Sequence, residues 1–342
     1  MNKYAIDGPK QPKFPIALIH PLGPLFKHLP LSLRRHLLHL RAFGKWGNFR
    51  NPTTWSEKTQ WRILNDRRVF LGVCCDKLAA KEYARRVAAE SGLPLRIPET
   101  YWAGTDVREL MRIKDQLPAR WVLKPNHSSS RFRILDDSTE TIDWDDLIDA
   151  GDRWVKKDEE ELAYGHYGYG LARHLVFAEE RVGSGASLAT LRANVVSGKV
   201  LNCSYTFGTI HPDNPVPRLS FRYDGELNRQ NTEVFGVAAP PEQRSRIDEL
   251  SASQKSELIS VVLALAAGIE QMRVDLYVED EIWLGELTVY NGSGLMKLPR
   301  AYTELIEREW TLPDLGQPEE RASEWRELLN STPLGTRQQL QR

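Results

Sequence analysis

Asp275 and Glu286 lie in the segment Arg273-Val-Asp-Leu-Tyr-Val-Glu-Asp-Glu-Ile-Trp-Leu-Gly-Glu-Leu-Thr-Val289, where polar and apolar residues alternate on both sides of Asp280-Glu281. That is the pattern of a two-stranded hairpin with one buried face. A turn centred on Asp280-Glu281 sets Asp275 opposite Glu286, Arg273 opposite Thr288 and Tyr277 opposite Leu284. Val274, Leu276, Val278, Trp283 and Leu287 then form the core face. The two carboxylates share the other face with Cβ atoms roughly 4.5–5.5 Å apart, a like-charge pair that costs stability. A divalent cation removes that repulsion and gains hard oxygen ligands. An ordinary amphipathic hairpin with both acids in water also accounts for the pattern. The loop that follows, Asn291-Gly-Ser-Gly294, weighs the other way, because it offers backbone donors to anionic oxygens. Phosphate bridged by a metal ion joins the two signals.

Further phosphate contacts lie upstream. Lys124 ends an apolar run and leads into Asn126-His-Ser-Ser-Ser-Arg131, whose His127, Ser128, Ser129 and Ser130 bring hydroxyls between charges. With no glycine in it, this run also reads as a polar surface turn. Lys77 opens a helix behind Asp76, a suitable N-cap, and lysine is a point-charge partner for phosphate. Arg222 and Arg229 fall in a loop-rich stretch and are candidates to hold an anionic second substrate. Tyr164, His166, Tyr167 and Tyr169 either stack on a sugar face or form a packed aromatic cluster.

Periodicity outlines the elements that must position these groups. Residues 31–41 carry leucines at 31, 33, 37, 38 and 40, an amphipathic helix with a basic face. It either packs on the body with that face in water or touches a membrane surface or anionic polymer. His28, His36 and His39 read as surface polar residues. A helix over 76–91 stops at Gly92 and Pro94. Strands are expected at 121–125 and 175–178, a hairpin at 191–201 around Ser197-Gly198, and helices at 142–157 and 253–271. Interleaved helices with antiparallel hairpins define a mixed class, α+β.

The chain of 342 residues suggests two or three lobes. Its 46 basic and 46 acidic side chains cancel, which excludes a strongly basic nucleic-acid binder. The balance is uneven, with nine Lys or Arg against the single acid Asp7 in residues 1–50. Cys74, Cys75 and Cys203 are too few for a disulfide framework and are expected as reduced, buried thiols. No apolar run approaches about 18 residues, and the stretch 258–269 is bounded by charges. Pro12, Pro15, Pro21 and Pro24 interrupt any signal-peptide core. A cytoplasmic protein is expected, with residues 1–50 a candidate peripheral contact at the inner membrane face.

The order Asn51-Pro-Thr-Thr-Trp-Ser-Glu-Lys58, Asp76-Lys77, Trp121-Val-Leu-Lys-Pro-Asn-His127, Ala178-Glu-Glu180, Arg273-Val-Asp-Leu-Tyr277 and Gly285-Glu-Leu-Thr288, followed by Gly292-Ser-Gly294, resembles the TupA-like ATP-grasp family. That family is named after a protein of teichuronopeptide synthesis. The resemblance spans residues 50–300 and implies an α+β ATP-grasp fold, with ATP and Mg2+ held between two lobes. On this basis 1–50 is a basic arm and helix, 51–120 an N-terminal lobe and 121–185 a central nucleotide lobe. Residues 186–310 form a C-terminal lobe with the metal hairpin, and 311–342 a helical tail.

The resemblance also implies residue roles. Lys77 and Lys124 would contact ATP phosphates, and Asn126 to Ser130 would be the mobile phosphate loop. Glu179, Glu180, Arg181 and Val182 would be the adenine- and ribose-binding linker. Asp275 and Glu286 would hold magnesium, with Thr288 where the wider superfamily has a third ligand, Asn. The phosphate loop departs from the family in having serines where relatives have glycine. Thr190 and Arg192 replace an acid and a lysine, and Arg192 keeps a cation able to clamp an anionic oxygen.

The expected reaction is ATP-dependent ligation of a carboxylate to an amine through an acyl phosphate, in surface-polymer or natural-product biosynthesis. Arg273 and Arg192 are the catalytic candidates, and Gly292, Ser293, Gly294 and Arg222 the substrate contacts. A kinase acting on a sugar or glycolipid hydroxyl, and a non-catalytic ATP-binding assembly protein, are the alternatives.

Overall fold

The computed structural model describes residues 5–7, 26, 28–128, 131–138, 141–156, 164–183, 188–207, 219–231, 237–298 and 300–331. Its helices are α1 (Leu31–Phe43), α2 (Trp55–Asn65), α3 (Phe70–Cys75), α4 (Lys77–Ser91), α5 (Val107–Arg112), α6 (Trp144–Trp154), α7 (Tyr167–Leu171), α8 (Arg246–Glu249), α9 (Ala252–Ala266), α10 (Arg300–Glu309) and α11 (Ala322–Asn330). The strands are β1 (Ala5–Asp7), β2 (Leu95–Arg96), β3 (Thr100–Gly104), β4 (Arg120–Pro125), β5 (Arg131–Asp136), β6 (Val176–Glu180), β7 (Thr190–Val196), β8 (Lys199–Phe207), β9 (Leu219–Asp224), β10 (Arg229–Gln230), β11 (Val237–Ala238), β12 (Gln271–Val278) and β13 (Ile282–Thr288).

Two sheets organise these elements. The smaller is antiparallel, in the order β1-β5-β4-β6-β3. Its apolar side packs on α5 and α6 through Trp121, Leu123, Val107, Leu110, Leu147 and Trp154. The larger runs β10-β9-β8-β7-β12-β13-β2, with β11 beside β9. Its core joins Leu191, Ala193, Val274, Leu276 and Leu287 to α9 and to the helices of residues 63–84. The expected division at residue 120 does not follow the sheets. β3 pairs with β6 in the small sheet, while α3 and α4 share the core of the large one, because their apolar faces match its buried face.

Local chemistry sets the element ends. Asp76 caps α4 by accepting from the Ala79 N–H at 2.8 Å. Ser197 and Gly198 form the expected turn between β7 and β8, both with positive φ, 50° and 73°. The helix expected to reach residue 271 ends at Ala266, and Gln271 already starts β12.

The β12–β13 register holds at the acids and slips beyond them. Arg273 faces Thr288 and Asp275 faces Glu286, after which Leu276 faces Leu284, Tyr277 faces Trp283 and Val278 faces Ile282. The extra residue is Gly285, where a Cβ would stand 2.7 Å from the Asp275 carbonyl oxygen, so only glycine fits this bulge. The expected pairing of Tyr277 with Leu284 is corrected accordingly. Leu284 takes the core position, and Trp283 turns to the other face under the Arg96 guanidinium.

The face of α1 that meets the body is also not the expected one. Arg35 and His39 are buried, while Leu33 and Leu40 are exposed. His39 accordingly is not a surface residue; its Nδ1 lies 3.0 Å from the Lys45 carbonyl oxygen. All three cysteines are buried and free. Among the described residues, no helix is long and apolar enough to cross a membrane.

Candidate active site

Because side chains alternate along each strand, register lines the polar face of the large sheet with rows of side chains. One row reads Arg222, Ser204, Arg192, Asp275 and Glu286 across β9, β8, β7, β12 and β13. The next reads Asn202, Asn194, Arg273 and Thr288. Sequence arithmetic within the hairpin found the two acids. The long-range strand order brings Arg192 beside Asp275, and no local pattern encodes that order.

Asp275 is buried and tightly held. Arg273 grips it with both arms of the fork, Nε to Oδ1 at 2.6 Å and Nη2 to Oδ2 at 2.7 Å, and Arg192 Nε lies 3.4 Å from Oδ2. Arg273 also donates to Asn291 Oδ1 at 2.6 Å and to Thr288 Oγ1 at 3.2 Å. Burial opposes the charge on Arg273, but the Asp275 carboxylate more than offsets this and raises its pKa above the usual arginine value. Arg192 also donates to Thr206 Oγ1. Glu286 differs from Asp275: it is half-buried and, among the described residues, has no hydrogen-bond or ion-pair partner.

Lys77 and Lys124 approach from the other side. The Glu286 carboxylate is among the charges that favour the protonated form of both lysines, so the helix start and the small sheet meet the large sheet here. Lys77 donates to the Ser128 carbonyl oxygen and at 3.5 Å to that of Asn126. Burial holds its pKa below the ordinary lysine value.

Lys124 pairs with Glu179, whose other oxygen accepts from Lys81 Nζ at 2.9 Å. Lys81 is a residue that sequence reasoning missed; it lies one helical turn after Lys77, inside an alanine-rich run that gave no signal. Lys81 and Lys124 outweigh the burial that would raise the Glu179 pKa and bring it down to about 2. Glu179, expected in a nucleotide linker, thus has its carboxylate engaged by two lysines. Glu180 accepts from the Glu99 N–H at 3.0 Å, and Val182 follows β6 half-buried.

His127 is fully buried and, among the described residues, both its ring nitrogens lack a hydrogen-bond partner, as does the buried Ser128 Oγ. Burial, the neighbouring His174 and Lys77 press the His127 pKa down to about 3. Ser129 and Ser130 lie outside the described residues.

The 291–294 turn is locked from behind. Gly292, Ser293 and Gly294 all have positive φ, 51°, 56° and 66°, which favours glycine at the two flanking positions. Arg35 donates to the Ser293 carbonyl oxygen at 2.7 Å and to its Oγ at 3.0 Å, and also to Gln60 Oε1 and the Tyr164 carbonyl oxygen. His166 Nε2 lies 2.9 Å from Ser293 Oγ, and its ring stacks on Tyr290 at 4.7 Å. The tyrosine-rich segment is therefore a packed cluster. Burial, then the Arg35 charge, lowers the His166 pKa to about 3. The buried Arg35 brings α1 into the site, although the basic arm had been expected outside it.

Arg222 and Arg229, expected in loops, lie on β9 and β10. Arg229 pairs with Asp248 at 2.9 Å. Arg222 is buried over the Tyr302 ring at 4.5 Å.

No protein-family model matches the chain, and no curated protein matches it in sequence. Solved structures share parts of its shape. D-alanine–D-alanine ligase from Helicobacter pylori is similar over 70% of this chain and 62% of its own, at 16% identity and a TM-score of 0.39. The ATP-grasp ligase PsnB, complexed with a phosphomimetic variant of its minimal precursor, Mg and ADP, is similar over 80% and 66%, at 13% identity and 0.36. An L-amino acid ligase from Bacillus licheniformis is similar over 75% and 45%, at 13% identity and 0.35. The chain thus spans 45–66% of the lengths of these three structures.

Proposed function

We propose that the chain is an ATP-grasp enzyme that joins a carboxylate to an amine, with MgATP bound between the two sheets. The observation that carries this is the same-face pair Asp275 and Glu286, with Glu286 unpartnered among the described residues and Lys77 and Lys124 set within electrostatic reach of it. The sequence resemblance to TupA-like ATP-grasp proteins supports the same reading and suggests a place in surface-polymer biosynthesis.

The residues fit the metal. Magnesium is commonly held by one or two carboxylates, with phosphates and water completing its octahedron, and this pair offers two. Among the described residues there is no cluster of three or more His, Cys, Asp or Glu side chains that would form an all-protein cage. Asp275 and Glu286 would hold Mg2+, which would supply charge neutralisation for phosphoryl transfer. Lys77 and Lys124 hold the ATP phosphates as point charges. A substrate carboxylate oxygen attacks the γ-phosphorus and ADP leaves. The amine then attacks the acyl phosphate, forming an amide and releasing phosphate. Arg273, fixed by Asp275 and Asn291, orients the carboxylate and stabilises the acyl phosphate, while Arg192 offers a second fork. Positioning and charge neutralisation are what this transfer chiefly requires.

The test is a matrix of carboxylates and amines incubated with the protein and MgATP. ADP and phosphate should form only when both partners are present. A stable phosphorylated alcohol would instead establish the kinase chemistry, and failure to bind MgATP would refute the reading.

A further inference from the structure

Arg222 presents a chemical anomaly outside the acid pair. The residue is only 7% exposed, and among the described residues it has no hydrogen-bond or ion-pair partner; its Nε is buried and unsatisfied. One face of the guanidinium rests on Tyr302. Asp224, two residues along the same strand, does not neutralise it, because that carboxylate accepts from Asn228 and Gln230 at the strand end. A buried guanidinium without an anion costs several kcal/mol, so a chain that keeps one is expected to use it.

Its place in the sheet says for what. Arg222 stands in the row that continues through Ser204 and Arg192 to Asp275 and Glu286. At about 4.8 Å per strand, Arg192 is about 10 Å away and Asp275 about 14 Å. Asn194, in the adjoining row, has a buried Oδ1 with no hydrogen-bond partner among the described residues, while its Nδ2 donates to Asn202 Oδ1 and the Tyr302 hydroxyl. The row therefore runs from the acid pair, a centre suited to phosphoryl transfer, to an unneutralised cation three to four strands away.

We propose that Arg222 anchors an oxyanion subsite on the polar face of the large sheet, taking a carboxylate or phosphate that the second substrate carries remote from its reacting group. This rests on the ligase reading for the identity of the ligand but not for the existence of the site. The acceptor class is then a bifunctional molecule, such as a uronic acid, an acidic amino acid or a sugar phosphate, and not a simple neutral amine.

The experiment uses the full chain and two probes, inorganic phosphate and glucuronate, titrated by calorimetry and by thermal unfolding against chloride of equal ionic strength. Wild-type protein should bind one of them, and the one that binds identifies the anion as phosphate or carboxylate. Arg222→Met should weaken that binding at least tenfold, Arg222→Lys less, and Arg222→Met without anion should melt at or above the wild-type temperature. The inference is overturned if neither probe binds, if Arg222→Met binds as wild type does, or if Arg222→Met alone lowers the melting temperature as loss of a structural side chain would. MgATP binding by wild type, measured in parallel, judges the ligase reading separately.

Discussion

Asp275 and Glu286 face each other, yet replacing them should have very unequal consequences for stability. Asp275→Asn leaves Arg273, itself only 17% exposed, without the carboxylate that both its arms grip. Removing one partner of a buried pair costs about 3–5 kcal/mol, a loss of several degrees in melting temperature. Glu286→Gln breaks no ion pair and relieves repulsion from a neighbour with its Cβ about 5 Å away, so its stability should stay within about 0.5 kcal/mol of wild type. Both variants should bind MgATP at least about tenfold more weakly, since losing even the groups that hold a metal's ligands costs about 10–100-fold. Differential scanning calorimetry and MgATP titration on the same preparations separate the two effects. If Glu286→Gln melts as early as Asp275→Asn, or binds MgATP as wild type does, the division into a positioned acid and a free metal ligand is wrong.

Other perturbations read other parts of the site. Arg35→Ala removes the donor shared by the Ser293 carbonyl and hydroxyl oxygens; it should raise KM for the second substrate while leaving MgATP affinity within twofold, as steady-state kinetics would show. Glu179 titrates at about 2 when folded against 4.5 when free, so its carboxylate adds stability above pH 4.5 that is lost as pH falls towards 2. That shift corresponds to about 3 kcal/mol, and denaturant unfolding as a function of pH should show this acid limb flattened in Glu179→Gln. Leu33, Leu40 and Trp46 are exposed, and the stretch from residue 8 to residue 56 contains no acid. Cosedimentation with phosphatidylglycerol vesicles should therefore fall sharply in Leu33→Ser/Leu40→Ser; binding that this pair leaves unchanged, or binding only to soluble anionic polymer, would refute membrane contact.

How far the site was legible depended on the range of the interaction. Alternation about a short turn sets Asp275 opposite Glu286, and the pairing followed only because two one-residue shifts cancel: the turn itself pairs Val278 with Ile282, and the Gly285 bulge restores the register at the acids. The slip beyond it did not, since Gly285 reads as a turn-forming or weakening residue until the Asp275 carbonyl is seen against its α-carbon. Arg222 looked like a loop residue because the flanking prolines and asparagines dominate local pattern, whereas β9 exists through pairing with β8. Lys81 was hidden for a related reason. A lysine inside an alanine-rich helix has the propensity of any surface residue, and only the fold places Thr100 and Glu179 around its ammonium group.

The N-terminal helix shows where amphipathic pattern misleads. A stripe of leucines beside arginines predicts that the leucines pack, because apolar burial is the largest local driving force. In α1 the buried positions are Arg35 and His39, and their polar atoms are met by the Gln60 side chain and by carbonyl oxygens of residues 45, 164 and 293. A guanidinium can satisfy several carbonyls at once with its fixed fork, and a tight turn with three residues in the left-handed region has carbonyls that need such a donor. Burying the cation therefore stabilises a tight turn that leucine could not hold, and it leaves Leu33 and Leu40 exposed while Leu31, Leu37 and Leu38 are half-buried.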